Sequence, residues 1–243
     1  MIQKNKGLSG STLKWIAIIA MLIDHVAATI LIRRILVYGY TEEWYNVYEV
    51  MRAIGRVAFP IFCFLLVEGV VYTHNVYRYL SRMTLFAVLT EIPFDLAFSG
   101  KIWYGEYQSV MLTLLIGLAA MLGCHLAEQK WKENYLLQYV VFGICLFIAM
   151  ELAYLLKTDY AYKGVFSIMV FYFFRNERKL QLLAGAFTFI WEPWALAAFP
   201  LLMVYNGQRG RRMKYFFYAF YPLHLMVLYF ICYLLGTHRV PVI

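Results

Sequence analysis

Asp24 and His25 stand side by side in the middle of an otherwise oily run, LKWIAIIAMLIDHVAATILI. An imidazole beside a carboxylate is equipment for moving protons, because histidine changes charge near neutral pH. Other ionisable residues interrupt similar runs. Arg52 and Arg56 lie in RAIGR, Glu68 in LLVEG, Glu91 and Asp95 around Pro93 in EIPFD, and His224 in YPLHL. Charges inside a bilayer are costly, so such residues need partners or water, and several helices bringing them to one depth would make a buried polar site.

Spacing orders these residues on helices. Arg52 and Arg56 are four apart and share a face, as do Glu91 and Asp95. Asp24 and His25 are adjacent, about 100° apart round a helix, so neither orients the other. Asp24 therefore needs a partner elsewhere, and an arginine of the second helix is expected. The same residues would also serve as a salt-bridge network holding helices together. Pro93 frees a backbone carbonyl, which suits a helix lining a cavity.

The elements that carry them are membrane helices. Of the 243 residues, 63% are hydrophobic and 15% charged, and mean hydropathy is +0.64. Soluble domains carry about 25% charge and about 45–50% apolar residues. The expected fold is an all-α, polytopic helical bundle in one domain, 1–243. Clear spans are 13–34, 49–72, 79–98, 109–127, 135–156 and 214–235, each near the roughly 20 residues that cross a bilayer. The signal is broken over 161–174, 180–191 and 194–205, where WEP at Trp191–Pro193 interrupts the run and Glu192 marks the break. The N-terminal run, too long for a signal peptide and without a small-residue cleavage site, reads as an uncleaved first helix.

Loop charge sets the orientation. Lys4, Lys6 and Lys14, then Arg78 and Arg82, Lys130 and Lys132, Arg175 to Lys179, and Arg209 to Lys214 alternate with acidic or mixed loops. Basic loops face the cytoplasm. The pattern predicts about nine crossings (eight to ten) with the N-terminus inside, in the cytoplasmic (inner) membrane. The basic residues sit in short loops and form no tract, which argues against nucleic acid. Cys63, Cys124, Cys145 and Cys232 show no metal-ligand or disulfide spacing and read as small apolar residues.

LKWIAIIAMLIDHVA, RAIGRVAFPIFCFLLVEG, YLSRMTLFAVLTEIPFDLAF, VMLTLLIGL and FYPLHL resemble the TraX family. That family is known for membrane proteins that acetylate the N-terminal amine of conjugative pilin, and it is similar to a wider group of membrane acyltransferases that use acyl-CoA. The resemblance implies acyl transfer more firmly than it implies pilin. It points to Asp24, His25, Arg52, Arg56, Pro60, Glu68, Glu91, Pro93, Asp95 and His224. On this reading the acyl donor is acetyl-CoA, and the acceptor is a peptide amine, a sugar or a small molecule. His25 is then the base for the acceptor's proton, with His224 as the second histidine; Asp24 or Glu91 holds the tautomer of His25 or stabilises its imidazolium; Arg56 or Arg52 faces the thioester oxygen; and Arg52, Asp95 and Glu68 bind substrate. Arg78 and Arg82, in a cytoplasmic loop, hold the CoA phosphates. Two other classes fit the residues: a secondary transporter, which also buries ionisable groups and breaks helices, and a non-enzymatic membrane subunit of a conjugation or pilus machine.

Overall fold

The computed structural model describes residues 7–211 and 214–243. Lys4, Lys6 and Arg212, used above in reading the loops, lie outside the described residues, and so does the side chain of Lys214. The described residues are helical throughout, apart from loops and two isolated bridges.

Helix α1 (Gly10–Tyr38) starts where Ser9 accepts a hydrogen bond from the Thr12 amide at 3.2 Å. It contains a π-turn over Ala27–Leu31 and stops at Gly39, whose φ of 99° no side-chain-bearing residue adopts readily. Helix α2 (Glu42–Val71) is capped by Thr41, with Glu42 and Glu43 in its first turn against the positive end of the helix dipole. It loosens at Arg56–Val57 and restarts at Ala58, which puts Pro60 in a first turn where a missing N–H is tolerated. Helix α3 (Val76–Ser99) holds Pro93 inside it. Then come α4 (Val110–Lys130), α5 (Tyr135–Leu155), α6 (Ala161–Phe173) and α7 (Arg178–Thr188). A 3-10 turn over Pro193–Ala197 leads into α8 (Ala198–Met203), and α9 (Lys214–Leu234) carries Pro222.

Five of these helices are long and apolar enough to cross a membrane: Gly10–Tyr38, Glu42–Val71, Val110–Lys130, Tyr135–Leu155 and Tyr215–Leu234. The chain is a multi-pass membrane protein by this measure. Helix α3 has the length but carries Arg78, Arg82, Glu91 and Asp95. Helix α6, with 13 residues, covers about 20 Å at roughly 1.5 Å per residue, less than the hydrocarbon thickness. The broken stretch 180–205 resolves into two short helical pieces separated by the turn at Phe189–Glu192.

Two compact units divide the chain. One comprises the chain up to Leu65 with Ile92–Trp103 and Phe189–Ile243, and there α1 packs on α2 and on α9. The other comprises Leu66–Glu91 and Tyr104–Thr188, and there α4, α5, α6 and α7 pack in sequence. Close approach in the second unit depends on two glycines. Gly117 faces the Ile168 side chain and Gly185 the Phe171 ring, each nearer than a Cβ would allow. Much of α5 is bare apolar surface, including Leu136, Phe147, Ile148 and Leu155, the face a bilayer would cover.

Candidate active site

His25 lies on α1 two residues before the π-turn, and His224 on α9 two residues after Pro222. Both are buried, at 8% and 6% exposure. Nδ1 of His25 and Nε2 of His224 are 2.6 Å apart. Nδ1 of His224 is 2.8 Å from the Phe220 carbonyl oxygen. These two contacts fix the proton positions of the neutral pair. A carbonyl only accepts, so Nδ1 of His224 carries the hydrogen and its Nε2 holds a lone pair. His25 must then donate from Nδ1. That leaves Nε2 of His25 unprotonated, as a base requires.

Aromatic rings enclose the pair. Tyr221 sits edge-on to both imidazoles, at 5.7 Å from His25 and 5.4 Å from His224. Phe98 meets His25 edge-on at 5.7 Å, and Phe220 stacks on His224 at 4.9 Å. Such packing holds ring planes.

A second network begins one residue earlier. Asp24 Oδ2 accepts a hydrogen bond from Arg52 Nη1 at 2.6 Å, the partner expected from the second helix. Arg52 is also near enough to His25 for its charge to bear on the imidazole. Gly55 faces Asp24, whose carboxyl fills the space a Cβ would take, so α1 and α2 come together there. Arg56 Nε lies 3.5 Å from Glu192 Oε2, at the turn before the 3-10 segment.

The family model for the TraX protein matches residues 9–232, which takes in the histidine pair, its aromatic surround and both arginine–carboxylate pairs. The chain belongs to the TraX family. It is also similar to the "Probable fimbrial assembly protein FimC, serogroup H1" of Dichelobacter nodosus, with 28% identity over 93% of this chain and 97% of that protein. No solved structure matches.

The remaining sequence candidates fall in different places. Asp95, 2% exposed, belongs to the unit that holds the histidines. Glu91 belongs to the other unit and caps a helix there: it accepts from the Ser109 hydroxyl at 2.6 Å and from the Ser109 amide at 3.3 Å, at the start of α4. Glu68 is buried and accepts from Arg178 Nη2 at 3.1 Å, also in that unit. Arg78 is exposed; its backbone amide donates to Asn75 at 2.8 Å. Arg82 is half-buried, and its Nε has no hydrogen-bond partner among the described residues. The contact at Nδ1 of His25 is with His224.

Two residues escaped the sequence reading of the site. Glu192 stood out only as a mark of the broken run, though its charge within WEP was the signal for a partner. Arg33 is completely buried, yet as one of two arginines near a helix end it looks in sequence like an ordinary snorkelling residue. Arg34 behaves that way, lying over the Trp44 ring at 4.2 Å.

Proposed function

We propose that this TraX-family protein is a membrane acyltransferase that moves an acetyl group from acetyl-CoA to an amine or hydroxyl. The observation that carries the proposal is the His25–His224 hydrogen bond with the second imidazole anchored on Phe220, which leaves Nε2 of a buried histidine basic. His25 takes the proton from the attacking nitrogen or oxygen as the new bond forms at the thioester carbonyl. The C–S bond breaks, and the proton passes to the CoA thiolate as it leaves. His224 is the positioning residue that keeps Nδ1 of His25 protonated and accepts part of the developing charge. Arg56, held at the long distance of 3.5 Å by Glu192, is the candidate donor to the thioester oxygen. Arg52 holds Asp24 and keeps a positive charge near the base. Arg78 and Arg82 are the candidates for the CoA phosphates, and Asp95 and Glu68 for acceptor contacts. Loop charge supports about nine crossings with the N-terminus inside, and residence in the cytoplasmic membrane.

The acceptor placed first is the N-terminal amine of a pilin-type protein. The family resemblance and the fimbrial-assembly name of the Dichelobacter nodosus relative support it. That name favours one second reading, a non-enzymatic membrane subunit of pilus assembly. The deciding experiment follows CoA thiol release from acetyl-CoA by purified protein in detergent, with a panel of peptide amines and sugars. Release that needs both an acceptor and His25 supports the transferase. Undiminished release from a folded His25→Ala variant overturns the assignment of the base. No release from folded wild-type protein with any acceptor favours the assembly subunit.

A further inference from the structure

Arg33 is completely buried in the unit that holds the histidine pair, and its partners among the described residues are all uncharged. Nε donates to the Val240 carbonyl at 2.8 Å, Nη1 to the Thr29 carbonyl at 3.2 Å, and Nη2 to the Phe98 carbonyl at 3.3 Å. Nη1 also lies 3.7 Å from Cys232 Sγ. A buried guanidinium without a carboxylate is costly, so its donors must be spent on something the fold needs.

What it holds are the two neighbours of His25. Thr29 lies in the π-turn, and its hydroxyl donates to the His25 carbonyl at 2.5 Å. Phe98 supplies the ring edge-on to the His25 imidazole at 5.7 Å. The Phe98 carbonyl belongs to the last turn of α3, the negative end of that helix, where a cation is favoured. It also accepts from the Val242 amide at 2.9 Å, so the segment after α9 is tied to the same point as Arg33. The π-turn is what brings the guanidinium there. An extra residue in one turn shifts all later positions by about 100°. Without it, position 33 would point elsewhere.

We infer that Arg33 is the positioning residue of the candidate site. It clamps the π-turn behind His25, the Phe98 ring beside it and the C-terminal segment into one arrangement, and so fixes the imidazole against His224. This rests on the reading of His25 as the base only for its effect on rate. The clamp itself is a statement about His25 geometry. Lysine at position 33 keeps the charge but offers one point of attachment in place of a fork.

The test uses full-length protein labelled with 15N-histidine, wild type beside Arg33→Lys and Thr29→Val, with His25→Gln and His224→Gln to assign signals. Arg33→Lys is expected to shift the His25 and His224 ring resonances and to weaken the signature of the shared hydrogen bond. Signals of His74 and His125, in the other unit, stay put. Thr29→Val should shift His25 in the same sense. Kinetically, kcat for acetyl transfer falls 10- to 100-fold in Arg33→Lys, KM for acetyl-CoA stays within twofold, and the acid limb of the pH profile of kcat moves. Unmoved His25 and His224 resonances in a folded Arg33→Lys protein overturn the clamp, whatever the activity. Resonances that move in Arg33→Lys when the wild type itself shows no acetyl transfer uphold the clamp and reject only the transferase reading. Shifts spread equally over all five histidines reveal general loss of structure and overturn the specific role.

Discussion

Replacing His224 by Ala tests the tautomer argument directly. In the native arrangement Nδ1–H of His25 has one acceptor, Nε2 of His224 at 2.6 Å, inside a ring of Tyr221, Phe98 and Phe220. Removing the acceptor leaves that N–H buried and unsatisfied, at about 1–3 kcal/mol. The imidazole can avoid the penalty only by turning over or by moving its hydrogen to Nε2, and either change removes the lone pair from the place where, on the proposed reading, the acceptor's proton is taken. The rate therefore falls by the same free energy, roughly 5- to 150-fold at about 1.4 kcal/mol per decade. His224→Gln should recover much of the loss, since an amide oxygen also accepts. The assay is acetyl-CoA thiol release under saturating acceptor, with kcat and KM resolved. His224→Ala with wild-type kcat, beside an inactive His25→Ala, would refute the orienting role. An inactive His224→Ala beside an active His25→Ala would reverse the two assignments.

Gly55→Ala drives a methyl group into the space of the Asp24 carboxyl, so the Arg52–Asp24 pair must separate; a loss of about 1–3 kcal/mol is expected, measured as a fall in melting temperature in detergent. Glu192→Gln should change stability little, because the Arg56 contact is long and both side chains are about a fifth exposed or more, while Arg56→Gln lowers kcat at least tenfold with a smaller change in KM. Glu106, on the loop before α4, is held below its ordinary value of 4.5 by the hydrogen bond and charge of Lys157. Its folded form therefore binds its proton less readily than the unfolded chain does. Any stability this adds is present above the unfolded value and is lost as pH falls through the lower, folded one. Glu106→Gln should thus melt like the wild type in acid, with any difference confined to higher pH, and leave acetyl transfer unchanged.

How far the sequence could be read follows from the range of each signal. Helix existence is local, and the runs at 13–34, 109–127, 135–156 and 214–235 reappear within a few residues as α1, α4, α5 and α9. The second span reaches back to Glu42, earlier than its apolar run, because Thr41 and two acidic residues start the helix before the oily part begins. The Asp24–Arg52 pair was legible because a carboxylate in an oily helix needs a cation and the next helix offered two. The His25–His224 contact joins residues 199 apart, and nothing in either segment names the other. The contact of Glu91 with Ser109 was hidden for a related reason. A carboxylate that caps a helix N-terminus looks, in sequence, like one that serves a substrate, and only Ser109 at the start of α4 tells them apart.

The adjacency that made Asp24 and His25 conspicuous also explains why both are needed. Two neighbours on a helix point about 100° apart, so their partners must come from different elements. Asp24 takes Arg52 from α2, and His25 takes His224 from α9. The dipeptide thus fastens α1 to two other helices by contacts that cannot be exchanged, since an arginine cannot accept from Nδ1–H and a neutral imidazole does not balance a carboxylate. In a bilayer, where apolar side chains gain nothing from leaving lipid for one another, such polar pairs are among the few interactions that specify which helices meet. Packing and chemistry then draw on the same residues. A change that loosens the α1–α2 pair through Gly55 also shifts the helix that presents His25, and stability and turnover should fall together there, whereas His224→Gln, which keeps an acceptor for Nδ1–H, should spare much of both.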